Sequence, residues 1–256
     1  MTHVLFEVEG HIAHVRLNRP RALNAIDAAM NAALRKAWQE VNANPDIRLA
    51  VLSAEGERAF CVGADLKESP YAGERIAFGG GITGIGGPLL TVTKPVVASV
   101  HGLVLGAGFE LAMCADIIVA SDTAQFGLPE TMLGVIGECG VVHRAIRQLP
   151  YRVALSMILT GERLHADKAL LHGLINQVVE ARALADATDQ WCERLLAASP
   201  LAVQAAKEAA LSCIEHPLPE ALATRFERIE AYSISEDCAE GRDAFLNKRR
   251  PIWKGR

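Results

Sequence analysis

No stretch of this 256-residue chain is strongly basic: its lysines and arginines are scattered and the formal charge is -4. That excludes the cationic face that tracks a phosphate backbone, the densest group being Lys248-Arg249-Arg250 near the C-terminus. No nucleic-acid partner is expected. The six cysteines, Cys61, Cys114, Cys139, Cys192, Cys213 and Cys238, contain no CxxC and no Cys/His ligand spacing. They read as reduced thiols, with neither a metal site nor a disulfide framework. No charged-then-apolar leader precedes His3-Val4-Leu5-Phe6, and the apolar stretch from Val96 to Ala120 is broken by His101, several glycines, Glu110 and Asp116. No membrane span is expected, and the expected location is cytoplasmic. Low-complexity segments and clear internal repeats are also missing.

Two catalytic signatures are missing as well. The glycine-rich segment Ser69 to Pro88 is not closed by Gly-Lys-Ser/Thr, so it is no phosphate-binding P-loop and reads as a mobile loop or pocket wall. No Gly-x-Ser-x-Gly elbow occurs and no cysteine has a base paired to it by spacing, so neither His101 nor His143 is expected to be catalytic.

What is present is a half-apolar chain long enough to bury a sizeable core. Val4 to Val8 and Ile12 to Leu17 flank Gly10 as a hairpin. Asp27 caps a helix running through Asn42, in which Met30, Leu34, Ala37, Trp38 and Val41 recur at helical spacing. Short apolar runs at Ile47 to Leu52, Pro95 to Val100, Ile117 to Ala120, Ala124 to Gly127 and Ile175 to Val179 read as strands. Most of the chain beyond Arg144 reads as helix, ending in Leu201 to Ile214, Pro219 to Tyr232 and Ser235 to Lys248, which need a core or other subunits to pack on.

The chemistry concentrates in VHGLVLGAGFELAMCAD, Val100 to Asp116. There a small-residue turn, Gly106-Ala107-Gly108, leads into an apolar helix carrying one carboxylate, Glu110, and an ionised Glu in a core is costly unless paired. A second small-residue turn, Gly63-Ala64, precedes what reads as a helix start at Asp65, so its amides are candidates to bind an anion or a polarised oxygen; a plain turn capped by Asp65 is the alternative. Two further acids, Glu130 and Glu138, lie among small residues. Glu138 is either a group of the site or a cap for the helix that follows Gly140.

Together these segments carry a resemblance. FCVGADLKE (Phe60 to Glu68), KPVVASVHGLVLGAGFELAMCADIIVAS (Lys94 to Ser121), AQFGLPETMLGV (Ala124 to Val135), EGRDAFLNKRRPIWKG (Glu240 to Gly255) and LNRPRALNAI (Leu17 to Ile26) are similar, in the right order along essentially the whole chain, to the crotonase, or enoyl-CoA hydratase/isomerase, superfamily.

The resemblance implies an α/β crotonase-like spiral of β-β-α units over residues 1–198, a C-terminal helical trimerisation region over 199–256, and a homotrimer or dimer of trimers. It implies an acyl-CoA substrate, with no cofactor beyond the CoA of that substrate. The backbone amides of Ala64 and Ala107 take the positions of an oxyanion hole for a thioester enolate, and both are expected to open helical segments whose dipoles favour that charge. Ala107 replaces the middle of a turn that is usually all glycine, and is expected to be helical or extended. Glu110 and Glu130 fall on the acid/base positions, Glu110 as base on water and Glu130 as acid toward the α-carbon. Glu138 matches a third acid found in dienoyl-CoA isomerases and in carnitinyl-CoA dehydratases, which also share the Trp-Lys-Gly-Arg ending. Asp65, Leu66, Lys67, Phe245 and Lys248 match positions that contact substrate. The activity implied is hydration or dehydration across the 2,3 bond, with dienoyl- or 3,2-enoyl-CoA isomerisation as alternative and a non-catalytic RNA-associated homologue as the reading from another class.

Overall fold

The computed structural model describes residues 2–67, 81–85, 90–137 and 140–256. Two sheets organise it. The larger has strands β1 (Val4–Glu9), β2 (Ile12–Leu17), β3 (Leu49–Ala54), β5 (Val96–Val100), β7 (Ile117–Ser121) and β10 (Gln177–Val179), in that spatial order. The smaller runs β4 (Ala59–Cys61), β6 (Leu103–Leu105), β8 (Gln125–Gly127) and β9 (Arg163–His165). β1 and β2 form the expected antiparallel hairpin, Val4 opposite Leu17. From β2 to β10 the pairing is parallel.

The continuous apolar runs of β3 and β5 follow from burial on both faces. Ala50, Leu52, Val96 and Ala98 face the main core with Leu34 and Trp38 of α1 (Ala28–Ala43). Leu49, Val51 and Val97 face the other way, against Ala187 and Cys192 of α6 (Leu184–Leu196). α1 starts as the sequence indicates, with the Met30 N–H donating to the Asp27 carboxylate at 2.7 Å.

The chain repeatedly lays one strand in each sheet and then a helix: β5 and β6 lead to α2 (Ala107–Met113), and β7 and β8 lead, past a 3-10 turn at Pro129–Leu133, to α3 (Val141–Gln148). These are β-β-α units. α4 (Tyr151–Thr160) and α5 (Ala166–Leu171) follow, and the C-terminal segment holds α7 (Pro200–Glu215), α8 (Leu218–Ala223), α9 (Glu227–Ser233) and α10 (Glu236–Leu246). The single helix expected from Pro219 to Tyr232 is two, because Thr224–Phe226 is non-helical and Phe226 caps α9 in an extended conformation. The last residues fold back on the body, where the Trp253 indole donates to the Ala197 carbonyl at 2.8 Å and Arg48 donates to the Trp253 carbonyl at 3.0 Å. Among the described residues no helix is long and apolar enough to cross a membrane, and no His/Cys/Asp/Glu group is arranged to hold a metal ion.

Candidate active site

The parallel pairing of β4 with β6 sets Cys61 beside Val104, so the turn after β4 meets the turn that opens α2. Gly63, at φ +99°, lies against the Gly106–Ala107 peptide: a side chain there would begin 3.3 Å from the Ala107 nitrogen and 3.3 Å from the Leu105 carbonyl oxygen. Glycine thus keeps the approach to that amide open. Ala107 is the first residue of α2, its φ is not positive, and the left-handed strain falls on Gly106 at φ +53°. Among the described residues no acceptor takes the N–H of Ala64 or of Ala107.

Ala64 does not open a helix within the described residues. It forms an isolated parallel bridge with Ile26, in which Ile26 N–H donates to Gly63 O at 2.8 Å and Asp65 N–H to Ile26 O at 2.9 Å. A turn at Leu66–Lys67 follows Asp65, and the strand-like bridge to Ile26 fixes the backbone on either side of Ala64. Asp65 faces Arg19, whose Nη2 is 3.0 Å from its carboxylate, and the Lys67 N–H that donates to it, with Arg19 second, holds it below the usual carboxylate range. Leu66 and Lys67 are exposed.

Glu110 lies one turn into α2 and is fully buried. Its Oε1 accepts from the Gly81 N–H at 2.9 Å and faces the Arg144 Nε at 3.3 Å. Its Oε2 is buried and has no hydrogen-bond partner among the described residues. Desolvation pushes the Glu110 carboxyl up to about 7, against the opposing pull of Arg144 and the Gly81 donor, and the Glu130 charge adds to the rise. Glu130, on the 3-10 turn after β8, is also raised by burial. Its Oε1 would be 2.8 Å from a Cβ on Gly106, which places this carboxylate beside the Ala107 amide. Oε1 of Glu110 and Oε1 of Glu130 lie close to Gly140 and Gly137 respectively.

A cavity of about 380 Å³ opens beside Glu130, walled by Leu128, Ile136, Val142 and Ile158 with Thr131 and His143. The buried thiols of Cys61 and Cys114 are pushed up to about 12 by desolvation and stay neutral. His101 is shifted down by burial.

The structure therefore brings together Ala64, Ala107, Glu110 and Glu130, from three separate stretches of chain. Phe245 and Lys248 stand on the C-terminal segment at the end of α10, which packs on α9, with Phe245 82% exposed. Glu138 lies outside the described residues, as does most of the segment from Ser69 to Pro88. Arg144 and the Gly81 amide were missed by the sequence reading. Arg144 sits 34 residues beyond its partner, and only the α2–α3 packing joins them; the one available hint was a buried Glu in need of a cation.

The sequence profile of the family Enoyl-CoA hydratase/isomerase matches residues 7–256. The chain belongs to this family. Among its relatives, (E)-benzylidenesuccinyl-CoA hydratase of Thauera aromatica is 38% identical over 98% of this chain and 99% of its own length. A carnitinyl-CoA dehydratase of Citrobacter koseri is likewise 38% identical, over 98% of each chain. Among solved structures, one from Novosphingobium aromaticivorans, described as a candidate short chain enoyl-CoA hydratase, is 59% identical and superposes with a TM-score of 0.92 over 100% of this chain and 99% of its own. The enoyl-CoA hydratase of Mycobacterium tuberculosis superposes at 0.90 with 34% identity over the full length of both. The two-sheet architecture of β-β-α units is thus the crotonase fold of the enoyl-CoA hydratases.

Proposed function

We propose that the chain adds water to, or removes it from, the 2,3 double bond of an acyl-CoA thioester. The observation that carries this reading is the pair of carboxylates, Glu110 fully buried and Glu130 half-buried, with Glu130 against the backbone of the Ala107 turn and both raised by desolvation. A carboxyl raised to about 7, as at Glu110, is matched to proton transfer near neutral pH. In the hydration direction the Glu110 carboxylate takes a proton from water as the water oxygen bonds to the β-carbon. The electron pair of the double bond moves onto the thioester oxygen, where the amides of Ala64 and Ala107 bind the enolate. Protonated Glu130 then delivers its proton to the α-carbon and the thioester carbonyl re-forms. Each lost oxyanion donor costs about 3 to 4 kcal/mol in enzymes that use such a hole. The hydratase and dehydratase names of the 38%-identical relatives support the same class of reaction.

The cavity beside Glu130 is read as the seat of the acyl group, since Leu128, Ile136, Val142 and Ile158 give it apolar walls. The CoA portion falls to Leu66, Lys67, Phe245 and Lys248, all exposed, the two lysines offering charge to its phosphates and Leu66 and Phe245 apolar surface to its less polar parts. Assembly as a homotrimer or dimer of trimers is supported by large apolar side chains exposed on the C-terminal segment, Ile214, Leu218, Leu222 and Leu246 among them.

Incubation with crotonyl-CoA and a panel of larger enoyl-CoA esters in labelled water tests the reading. Loss of the conjugated-thioester absorbance with labelled oxygen in a 3-hydroxyacyl product is expected. An absorbance shift without label uptake would replace hydration by isomerisation. Glu110→Gln and Glu130→Gln should each lower kcat by about 100-fold or more while CoA-ester binding persists.

A further inference from the structure

Glu110 is bound unevenly, and the unevenness identifies its reactive atom. Resting on the hydration reading above, we propose that Arg144 is the positioning residue of Glu110: together with the Gly81 N–H it holds Oε1, leaving Oε2 as the oxygen that takes the proton from water.

Two donors converge on one oxygen, Gly81 N at 2.9 Å and Arg144 Nε at 3.3 Å, while the other oxygen, equally buried, meets no donor among the described residues. An ionised carboxylate has lone pairs on both oxygens, and a donor draws charge from the oxygen it reaches. The undonated Oε2 is therefore the more basic of the two, and it is in greatest need of a ligand: leaving a buried charged acceptor bare costs more than a neutral one. An incoming water that donates to Oε2 satisfies it and starts the proton transfer. The same two donors fix the side-chain torsions, because Gly81 approaches from a 3-10 turn against α2 and Arg144 from α3, two independent elements.

Arg144 also supplies the charge that the site otherwise lacks. The titratable groups facing Glu110 among the described residues are Arg144 on α3, Glu130 on the turn after β8, and Cys114 at the end of α2, whose thiol is neutral. The one cation thus opposes both desolvation and the second carboxylate. Arg144 is 32% exposed, so its guanidinium keeps part of its hydration while its Nε–H reaches a fully buried partner.

The test follows the Glu110 carboxyl directly, by carbon NMR of protein labelled at glutamate side-chain carboxyls, with Glu110→Gln identifying the signal. In Arg144→Gln the Glu110 midpoint should move to higher pH than in the unmodified protein, and Arg144→Lys should bring it part of the way back. In parallel, Arg144→Gln should lower kcat by about 100-fold, the low end of what a general base supplies, shift the acid limb of the rate profile to higher pH, and leave KM nearly unchanged. On a Glu110→Gln background the Arg144 change should cost nothing further. An unmoved Glu110 midpoint, or an equal loss with and without Glu110, overturns the proposal. If Arg144→Gln does not fold, Arg144→Lys decides: an unchanged midpoint together with an unchanged kcat overturns it. The titration needs no substrate, so a protein that hydrates no acyl-CoA ester sinks the hydratase reading and still leaves the Arg144–Glu110 coupling measured on its own.

Discussion

A Cβ on Gly140 would stand 2.6 Å from Oε1 of Glu110, and Gly140 itself has φ +105°. Glu110 has no room to retreat, being fully buried and held by the Gly81 N–H and Arg144. Gly140→Ala combines left-handed strain, of order 1 to 3 kcal/mol, with displacement of Glu110, the proposed base. Expected are a lower melting temperature and a drop in kcat larger than that of Gly173→Ala, a control at φ +73° with nothing within 4 Å of its Cβ. Equal kcat in the two variants would show that Oε1 tolerates the contact.

Ionising Glu110 in the folded protein is unfavourable, and stability carries the mark of it. Because the folded carboxyl lies near 7 and the unfolded one near 4.5, the folded state holds the extra proton between those values. This group's contribution is present below pH 4.5 and is lost as pH rises through about 7. The corresponding loss is about 3 kcal/mol at most. Glu110→Gln should therefore be more stable than the unmodified protein at pH 8 and no more stable at pH 4.5, as read by urea unfolding at both values. A variant that is destabilised equally at both would mean that Glu110 is held ionised in the fold.

Arg19 ties the Gly63–Asp65 turn, the proposed oxyanion site, to the body. Its Nη1 donates to the Ala25 carbonyl at 2.5 Å, its Nε lies 3.2 Å from Asp27 and its Nη2 3.0 Å from Asp65, the residue after Ala64. Ile26, bridged to Ala64, sits between those contacts. Arg19→Ala should lower kcat by about 10- to 100-fold with a smaller change in KM, because a misplaced amide weakens the enolate more than the bound ester. Full kcat in a variant with a reduced melting temperature would confine Arg19 to stability.

The cavity beside Glu130 gives a specificity test. Val142→Phe fills space between Leu128, Ile136 and Ile158. Turnover of bulky acyl groups should fall by about 10-fold or more relative to crotonyl-CoA, in line with the 1 to 3 kcal/mol at stake per group in an apolar pocket. Parallel losses for small and bulky esters would place the acyl group elsewhere.

Several elements were legible one residue at a time. The Asp27 cap and the Met30, Leu34, Ala37, Trp38, Val41 stripe read directly as α1, because a cap and a 3.6-residue period are local properties. The hairpin through Gly10 did too. β4, β6 and β9, each three residues long, gave no period to read; they exist because neighbouring strands complete their hydrogen bonds. The helix start expected after Ala64 falls at the edge of the described residues, where Asp65 both accepts from the Lys67 N–H and pairs with Arg19, a partner 46 residues away that no local pattern marks.

For the site, sequence alone determined the residue types: a lone acid in an apolar helix, a second acid after Leu128-Pro129, and two small-residue turns, each unusual enough locally to be marked for chemistry. Only the tertiary structure decided how they act. It set Gly63 against the Ala107 amide and Glu130 against Gly106, through strand pairings that connect residues more than 20 apart in the chain. It also bound one oxygen of Glu110 and gave the other no donor among the described residues, because burial and donor geometry are properties of the packed interior that no run of adjacent residues encodes.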